Sequence, residues 1–204
     1  MTSPNHPGFL LVLEGIDGVG KTTISQRLAE HCQSRGLETV SSREPTNGPW
    51  GRRLRESAQT GRLSLEEELE FFLKDRAEHI EQVIKPALQQ GKIVILDRYY
   101  LSTAAYQGAR GAEPEKILDR NEAFAPAPDL ALLLDLDPKD GLGRVQRRGD
   151  KPDEFEHENA LREVRRIFLT IHRPWLVTIN AGQEKEQVIR DCIAEFDRAW
   201  ARRL

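Results

Sequence analysis

The sequence predicts a three-layer α/β/α sandwich on a parallel sheet. Three observations carry that prediction. Short apolar runs alternate with long amphipathic stretches along the 204 residues. The runs are continuously apolar rather than alternating, as strands buried on both faces require. Repeated strand–helix alternation implies crossover units that put helices on both faces of the sheet. No linker separates two self-sufficient halves, so one domain over 1–204 is expected.

The elements follow in order. Phe9–Leu13 is a strand that leads straight into a glycine-rich turn. A helix follows over Thr22–Arg35, where Ile24, Leu28 and Cys32 recur every four residues as one apolar face. Leu37–Ser41 reads as the second strand and Gly51–Ala58 as a short helix. Leu65–Leu88 has the pattern of a long helix that Pro86 breaks or kinks, because proline lacks the N–H and crowds the preceding turn. Ile93–Leu96 is the third strand, and Gly108–Pro114 a turn-rich loop. Leu130–Leu136 is the fourth strand, followed by a helix over Pro138–Arg148. The charged stretch Arg147–Glu158 reads as a loop, Asn159–His172 as a helix, Trp175–Ile179 as the fifth strand and Glu184–Arg203 as the last helix. In such a fold the loops carry function.

Composition removes several classes. Thirty basic side chains nearly cancel 33 acidic ones, leaving a net charge of −3. Overall charge therefore does not hold this chain on nucleic acid. The longest unbroken apolar runs, Phe9–Leu13 and Leu130–Leu134, fall far short of a membrane span. Met1–Gly8 lacks the charged and then apolar segments of a signal peptide. Cys32 and Cys192 are the two cysteines, too few for a disulfide framework. A reduced, cytoplasmic compartment is expected, with neither nucleic acid nor membrane as partner.

The strongest motif is Gly15-Ile16-Asp17-Gly18-Val19-Gly20-Lys21-Thr22, between the first strand and the first helix. Glycines at these positions let backbone N–H groups surround a phosphate, and the helix N-terminus adds partial positive charge. Lys21 is placed to reach the outer phosphates of ATP as a point charge, and Thr22 to give a hydroxyl to Mg²⁺. A guanine-specific switch normally carries Asn-Lys-x-Asp, which is absent, and a motor ATPase needs a longer chain. A small-molecule kinase remains.

Candidate acceptor residues lie beyond the other strands. Ile93–Leu96 ends in Asp97-Arg98-Tyr99, where ligands bind in such sheets. Asp97 suits Mg²⁺, directly or through water, and Arg98 presents a fork for a phosphate. Arg43-Glu44-Pro45 ends the second strand at the same edge. Phe72 and Arg76 are one helical turn apart and share a face. A ring beside a guanidinium suits a flat, carbonyl-bearing base, although Phe72 taken alone reads, like its neighbour Phe71, as a core residue. Arg144, Arg147 and Arg148 lie at the end of one helix pattern, before Gly149-Asp150-Lys151-Pro152-Asp153, and a mobile segment carrying such arginines can close over ATP. No His-Arg-Asp catalytic loop is present. A phosphate monoester, with a second pKa of about 6, is already a dianionic nucleophile and needs positive charge rather than a base. That favours a nucleoside monophosphate as acceptor.

Together these pieces resemble the thymidylate (dTMP) kinase family over nearly the whole chain. They are Leu13 to Thr23, Arg43-Glu44-Pro45, Phe72-x-x-x-Arg76, Asp97-Arg98-Tyr99, Ser102-Thr103-Ala104-Ala105-Tyr106-Gln107-Gly108 and Pro128-Asp129-Leu130, in family order. The resemblance implies a phosphate-loop kinase fold with a five-stranded parallel sheet, a homodimer, and transfer of the γ-phosphoryl of ATP to dTMP with Mg²⁺. It implies that Phe72 stacks on thymine, Arg76 bonds a carbonyl, Thr103 and Gln107 read the base, Tyr106 lies by the deoxyribose, and Arg98 with Glu44 handles the acceptor phosphate. Gly18 stands where some members carry a catalytic arginine, so the chain resembles the bacterial type that supplies one from a lid, here at about 147–158. Glu154 stands where the lid arginine is usual, which shifts that role to Arg148 or Arg147. Thr46-Asn47-Gly48-Pro49-Trp50 replaces the family's Gly-Gly-Thr, and Asn180-Ala181 its Asp-Ala. The altered Thr46–Trp50 stretch keeps open a kinase for another nucleotide or a deoxynucleoside. Glu154 keeps open a nucleotide-binding regulator without turnover.

Overall fold

In the computed structural model, which describes residues 8–61, 63–146 and 154–203, five strands lie side by side and parallel in the order β2-β3-β1-β4-β5. They are β1 (Phe9–Glu14), β2 (Thr39–Arg43), β3 (Ile93–Asp97), β4 (Leu130–Asp135) and β5 (Leu176–Asn180). The apolar runs of β1, β3 and β4 are buried along their length, which is why they read clearly as strands. The edge strands β2 and β5 are only partly covered. The register decides where chemistry can happen. Leu13 pairs with Asp97, and Asp97 with Arg43. The phosphate loop, Glu44-Pro45 and Arg98 therefore leave the sheet at one edge, side by side.

Helix α1 (Lys21–Ser34) buries Ile24, Leu28 and Cys32, the face its spacing predicts. Pro49 opens α2 (Pro49–Thr60) at a position where its missing N–H has no cost. Helix α3 (Leu65–His79) starts with a capping box in which Ser64 and Glu67 bond each other's backbone N–H. It runs through a π-helical turn, Ile80–Ile84, into α4 (Lys85–Gln89), which holds Pro86. The proline does not end the helix, because the wider turn just before it absorbs the misfit.

Two elements are new and one sequence expectation changes. Tyr100–Gly108 and Pro114–Glu122 form two helices, α5 and α6, that no periodicity announced. Seven of the nine α5 residues are buried, so this helix has no polar face to reveal its period. The expected loop does not reach Glu158: after α7 (Pro138–Gln146), α8 (Glu154–Thr170) already begins at Glu154, and Glu158 pairs with Arg162 one turn on. Arg147, Arg148 and the rest of the expected lid up to residue 153 lie outside the described residues. The last helix, α9 (Lys185–Ala201), packs on α1, and Cys32 and Cys192 are both buried and free. Among the described residues, no helix is long and apolar enough to cross a membrane.

Candidate active site

The phosphate loop joins β1 to α1 and surrounds a cavity of about 300 Å³. Lys21, the first residue of α1, donates from Nζ to the Gly15 and Ile16 carbonyls at 3.1 and 2.9 Å, which draws it back across the loop. Burial, with the Arg98 charge adding to it, pushes its ammonium down to about 8. Thr22 donates from Oγ1 to Asp97 Oδ2 at 3.0 Å, so the two expected metal residues meet at the mouth of the loop. A hydroxyl and a carboxylate are the hard oxygen donors Mg²⁺ prefers. Gly18 has φ +82°, and a Cβ there would lie 2.2 Å from the Gly141 carbonyl oxygen of α7. This backbone leaves no room for an arginine at position 18.

A second cavity of about 280 Å³ adjoins the first and shares Asp17, Glu44, Pro45, Arg55 and Arg98 with it. Every expected acceptor residue lines it: Glu44, Phe72, Arg76, Arg98, Thr103, Tyr106 and Gln107. Phe72 is half-buried on the cavity wall, outside the core. The Thr46–Trp50 stretch points elsewhere. Thr46 bonds Asp75 of α3 through its N–H and hydroxyl at 2.7 and 2.6 Å, and Trp50 donates to Glu78 at 3.0 Å. A further cavity of about 330 Å³ flanks the other side of the loop, between Gly18–Ile24 and Arg144, Ala181 and Lys185.

Two arginines organise this second cavity, the one the expected acceptor residues line. Arg76 is 1% exposed. Its Nε donates to Glu44 Oε2 at 2.8 Å, its Nη1 to Asn121 Oδ1 of α6, and its Nη2 to Thr103 Oγ1 at 3.1 Å. The other Glu44 oxygen meets His79 Nδ1 at 3.0 Å. Both Glu44 oxygens are thus engaged by protein, and a buried guanidinium is matched by a buried carboxylate. Arg98 stands at the boundary. Its Nη1 donates to Gly15 O and Ser102 Oγ at 3.2 and 3.0 Å, and its Nη2 to Asp17 Oδ1 and the Tyr106 hydroxyl at 2.7 and 3.1 Å. Tyr106 in turn donates to Asp17 Oδ2 at 3.0 Å. Burial holds the Tyr106 phenol well above its usual value, so it acts as a neutral donor. Arg98 adopts φ +72°, a left-handed conformation costly for a residue with a side chain.

Sequence reasoning missed several contributors. Arg55 lines both cavities and donates to Pro45 O at 3.0 Å, yet it is one arginine among three on α2 with nothing to mark it. Arg110 donates to Gln107 Oε1 at 2.8 Å and also pairs with Glu68, bringing α3 against α5. Glu14, fully buried, accepts from the N–H groups of Tyr99 and Ser102 at 3.0 and 3.2 Å and from the Ser102 hydroxyl. It caps α5 from β1, a job no residue of α5 itself performs. Its place between the strand and the phosphate loop was the available signal.

Glu14 yields a pH prediction. Burial pushes its carboxyl up from 4.5 to about 7, against the pull of the Ser102 bonds and Arg98. Below pH 4.5 the group is protonated in both states and carries no penalty. Between 4.5 and 7 the unfolded chain releases the proton while the folded chain holds it, so stability falls as pH rises through that window. Glu14→Gln, which keeps the acceptor for both N–H groups, is expected to gain up to roughly 3 kcal/mol over the parent at pH 8 and almost nothing at pH 4. Urea denaturation at both pH values measures it, and an equal difference at the two would remove the carboxyl from the account.

Comparison with known proteins gives the family. The thymidylate kinase family model matches residues 13–192. The chain is 50% identical over 205 residues to the thymidylate kinase of Xanthomonas euvesicatoria pv. vesicatoria (strain 85-10), covering all of this chain and 90% of the relative. It is 49% identical over the same coverage to that of Xanthomonas campestris pv. campestris (strain B100). It is also 51% identical over 181 residues to that of Akkermansia muciniphila, covering 89% of this chain and 87% of the relative. The matched region runs from the strand that carries the phosphate loop to Cys192 on the last helix and takes in both cavities, and the chain belongs to the thymidylate kinase family.

Proposed function

We propose a division of labour for the ATP-dependent phosphorylation of dTMP to dTDP that membership of this family assigns to the chain. The triphosphate lies in the phosphate loop, with Lys21 on its outer phosphates. The dTMP base lies against Phe72, with Arg76 on a carbonyl and with Thr103 and Gln107 at its edge. Tyr106 and Asp17 lie beside the sugar, and Arg98 and Arg55 hold the acceptor phosphate toward the donor. One observation carries this reading: the loop cavity and the Phe72–Arg76 cavity share a wall that contains Arg98 and Arg55. A phosphate held there by its own two negative charges needs alignment and charge neutralisation, not a base.

Thr22 and Asp97 would hold Mg²⁺ beside the loop, alone or through water. Bound with ATP, the ion neutralises phosphate charge and orients the donor. Arg148 or Arg147 would supply the lid charge, since Gly18 admits no side chain. The reading further takes the chain as one domain that works as a homodimer in the cytoplasm, with small nucleotides as its partners.

A coupled ATP-consumption assay over a panel of nucleoside monophosphates, with thymidine included, tests the reading. Turnover on dTMP above all others supports it. A better acceptor elsewhere in the panel moves the base assignment, and nucleotide binding without turnover ends the kinase reading. Phe72→Ala is expected to weaken dTMP binding by about 1–3 kcal/mol while kcat at saturation changes little. If the variant lost only thermal stability, the ring would be a packing element.

A further inference from the structure

Helix α6 contributes no residue to the wall of the loop cavity or the acceptor cavity among the described residues. Yet one of its side chains ends on the guanidinium at the base of the acceptor cavity. Asn121 is 1% exposed, and its Oδ1 accepts from Arg76 Nη1. Its amide is not free to turn over. Nδ2 donates to Ile117 O at 2.7 Å, one helical turn back. The reversed amide would set an N–H against the guanidinium and an oxygen against that carbonyl, both repulsive.

Arg76 is therefore pinned at three corners by three separate segments. Glu44, just after β2, holds Nε and the near side of Nη2 at 2.8 and 2.6 Å. Thr103 of α5 accepts from Nη2, and Asn121 from Nη1. Each Nη of a planar guanidinium carries two N–H groups, so fixing one fixes the direction of the other. The Asn121 bond takes one N–H of Nη1 and thereby aims its second. Without it, Glu44 and Thr103 still hold Nε and Nη2 over the Tyr99 ring, but Nη1 loses the bond that fixes its end of the plane.

We infer that Asn121 is a positioning residue for base recognition, acting through Arg76 from a helix outside the cavity wall. The inference rests on the reading that Arg76 bonds a carbonyl of the base. It gives α6 a part in acceptor affinity and none in the transfer step. The expected signature is a change in KM for dTMP with kcat and KM for ATP preserved.

Four proteins test it: Asn121→Leu, Asn121→Asp, Arg76→Lys, and Asn121→Leu with Arg76→Lys. Leucine is close in size and removes the acceptor. It is expected to raise KM for dTMP about tenfold and leave kcat within about twofold. Aspartate keeps an oxygen toward Arg76 but sets its second against the Ile117 carbonyl. It is expected to melt lower than the parent yet hold KM for dTMP near normal, which separates positioning from stability. Arg76→Lys keeps a positive charge for Glu44 but loses the fork. On that background Asn121→Leu is expected to add almost nothing, because the group it acts through is gone. If the leucine variant binds dTMP normally, or if KM rises in step with lost melting temperature in both Asn121 variants, the positioning role is overturned. Full additivity of the double variant overturns it as well. If Arg76→Lys alone leaves KM for dTMP unchanged, the reading of Arg76 itself fails, a result distinct from the others.

Discussion

Lys21→Ala is expected to lower kcat/KM for ATP by about 10³-fold while dTMP affinity and folding are retained. The expectation follows from where the charge sits. Lys21 is buried at the start of α1, tied to the Gly15 and Ile16 carbonyls, with its Nζ inside the loop proposed to cradle the donor phosphates. A cation in such a water-poor place acts on developing phosphate charge far more strongly than one in solvent. The same burial is a cost to the empty protein, since it pushes the ammonium down to about 8. Removing the side chain relieves that cost, so the melting temperature of the variant is expected to match or exceed the parent's. Steady-state kinetics with each substrate varied in turn, together with a thermal melt, measures all three. Activity within tenfold of the parent would take the lysine out of the donor site, and a large drop in melting temperature would make its role structural.

The parts of the fold that could be read from the chain are those where burial writes a simple pattern. β1 and β4 are unbroken apolar runs because helices cover both of their faces, and α1 shows Ile24, Leu28 and Cys32 because only one of its faces is covered. Helix α5 hides for the opposite reason: with Tyr100 to Ala105 and Gln107 all buried, nothing alternates. Strand β2 was expected two residues too early, at Leu37–Ser41 rather than Thr39–Arg43. As an edge strand it is half-exposed, and its limits are set by pairing with β3, which a local pattern cannot register.

The site divides in the same way. Residues at the carboxyl ends of β1, β2 and β3 were legible because motif and strand end coincide there. The register then brings Glu44 and Arg98 to the sheet edge where the phosphate loop and its Asp17 lie. Partners that act from the next helix were not legible. His79 against Glu44, Asn121 against Arg76 and Arg110 against Gln107 are contacts between segments 35, 45 and 3 positions apart. The first two exist only once the sheet and its helices have closed, and the third depends on Glu68 arriving from α3. A buried Asn or His carries no mark in the chain that separates it from an exposed one. Glu44 makes the point from the other side: its motif was plain, but its two oxygens are taken by Arg76 and His79 in the folded protein.

Replacing Arg98 should cost about 10³-fold in kcat/KM for dTMP, and two replacements together reveal why. Arg98 joins the two cavities. It holds Gly15 O on the donor side, and Asp17 and Tyr106 on the acceptor side, while Ser102 links it to the buried Glu14. It does so from φ +72°, where a side chain is disfavoured and glycine is not. Arg98→Ala and Arg98→Gly remove the same guanidinium, but only the glycine variant also relieves the backbone. The glycine variant is therefore expected to be the more stable of the two by roughly 1 kcal/mol, with activity equally low in both. Denaturant unfolding and dTMP-dependent kinetics on the pair measure the two effects separately. Were activity to recover along with stability in the glycine variant, Arg98 would be a brace for α5. If activity stays lost while stability returns, the strain at position 98 is explained by the one function glycine cannot supply: a fork of N–H groups held where the two cavities join, the place proposed for the two phosphates.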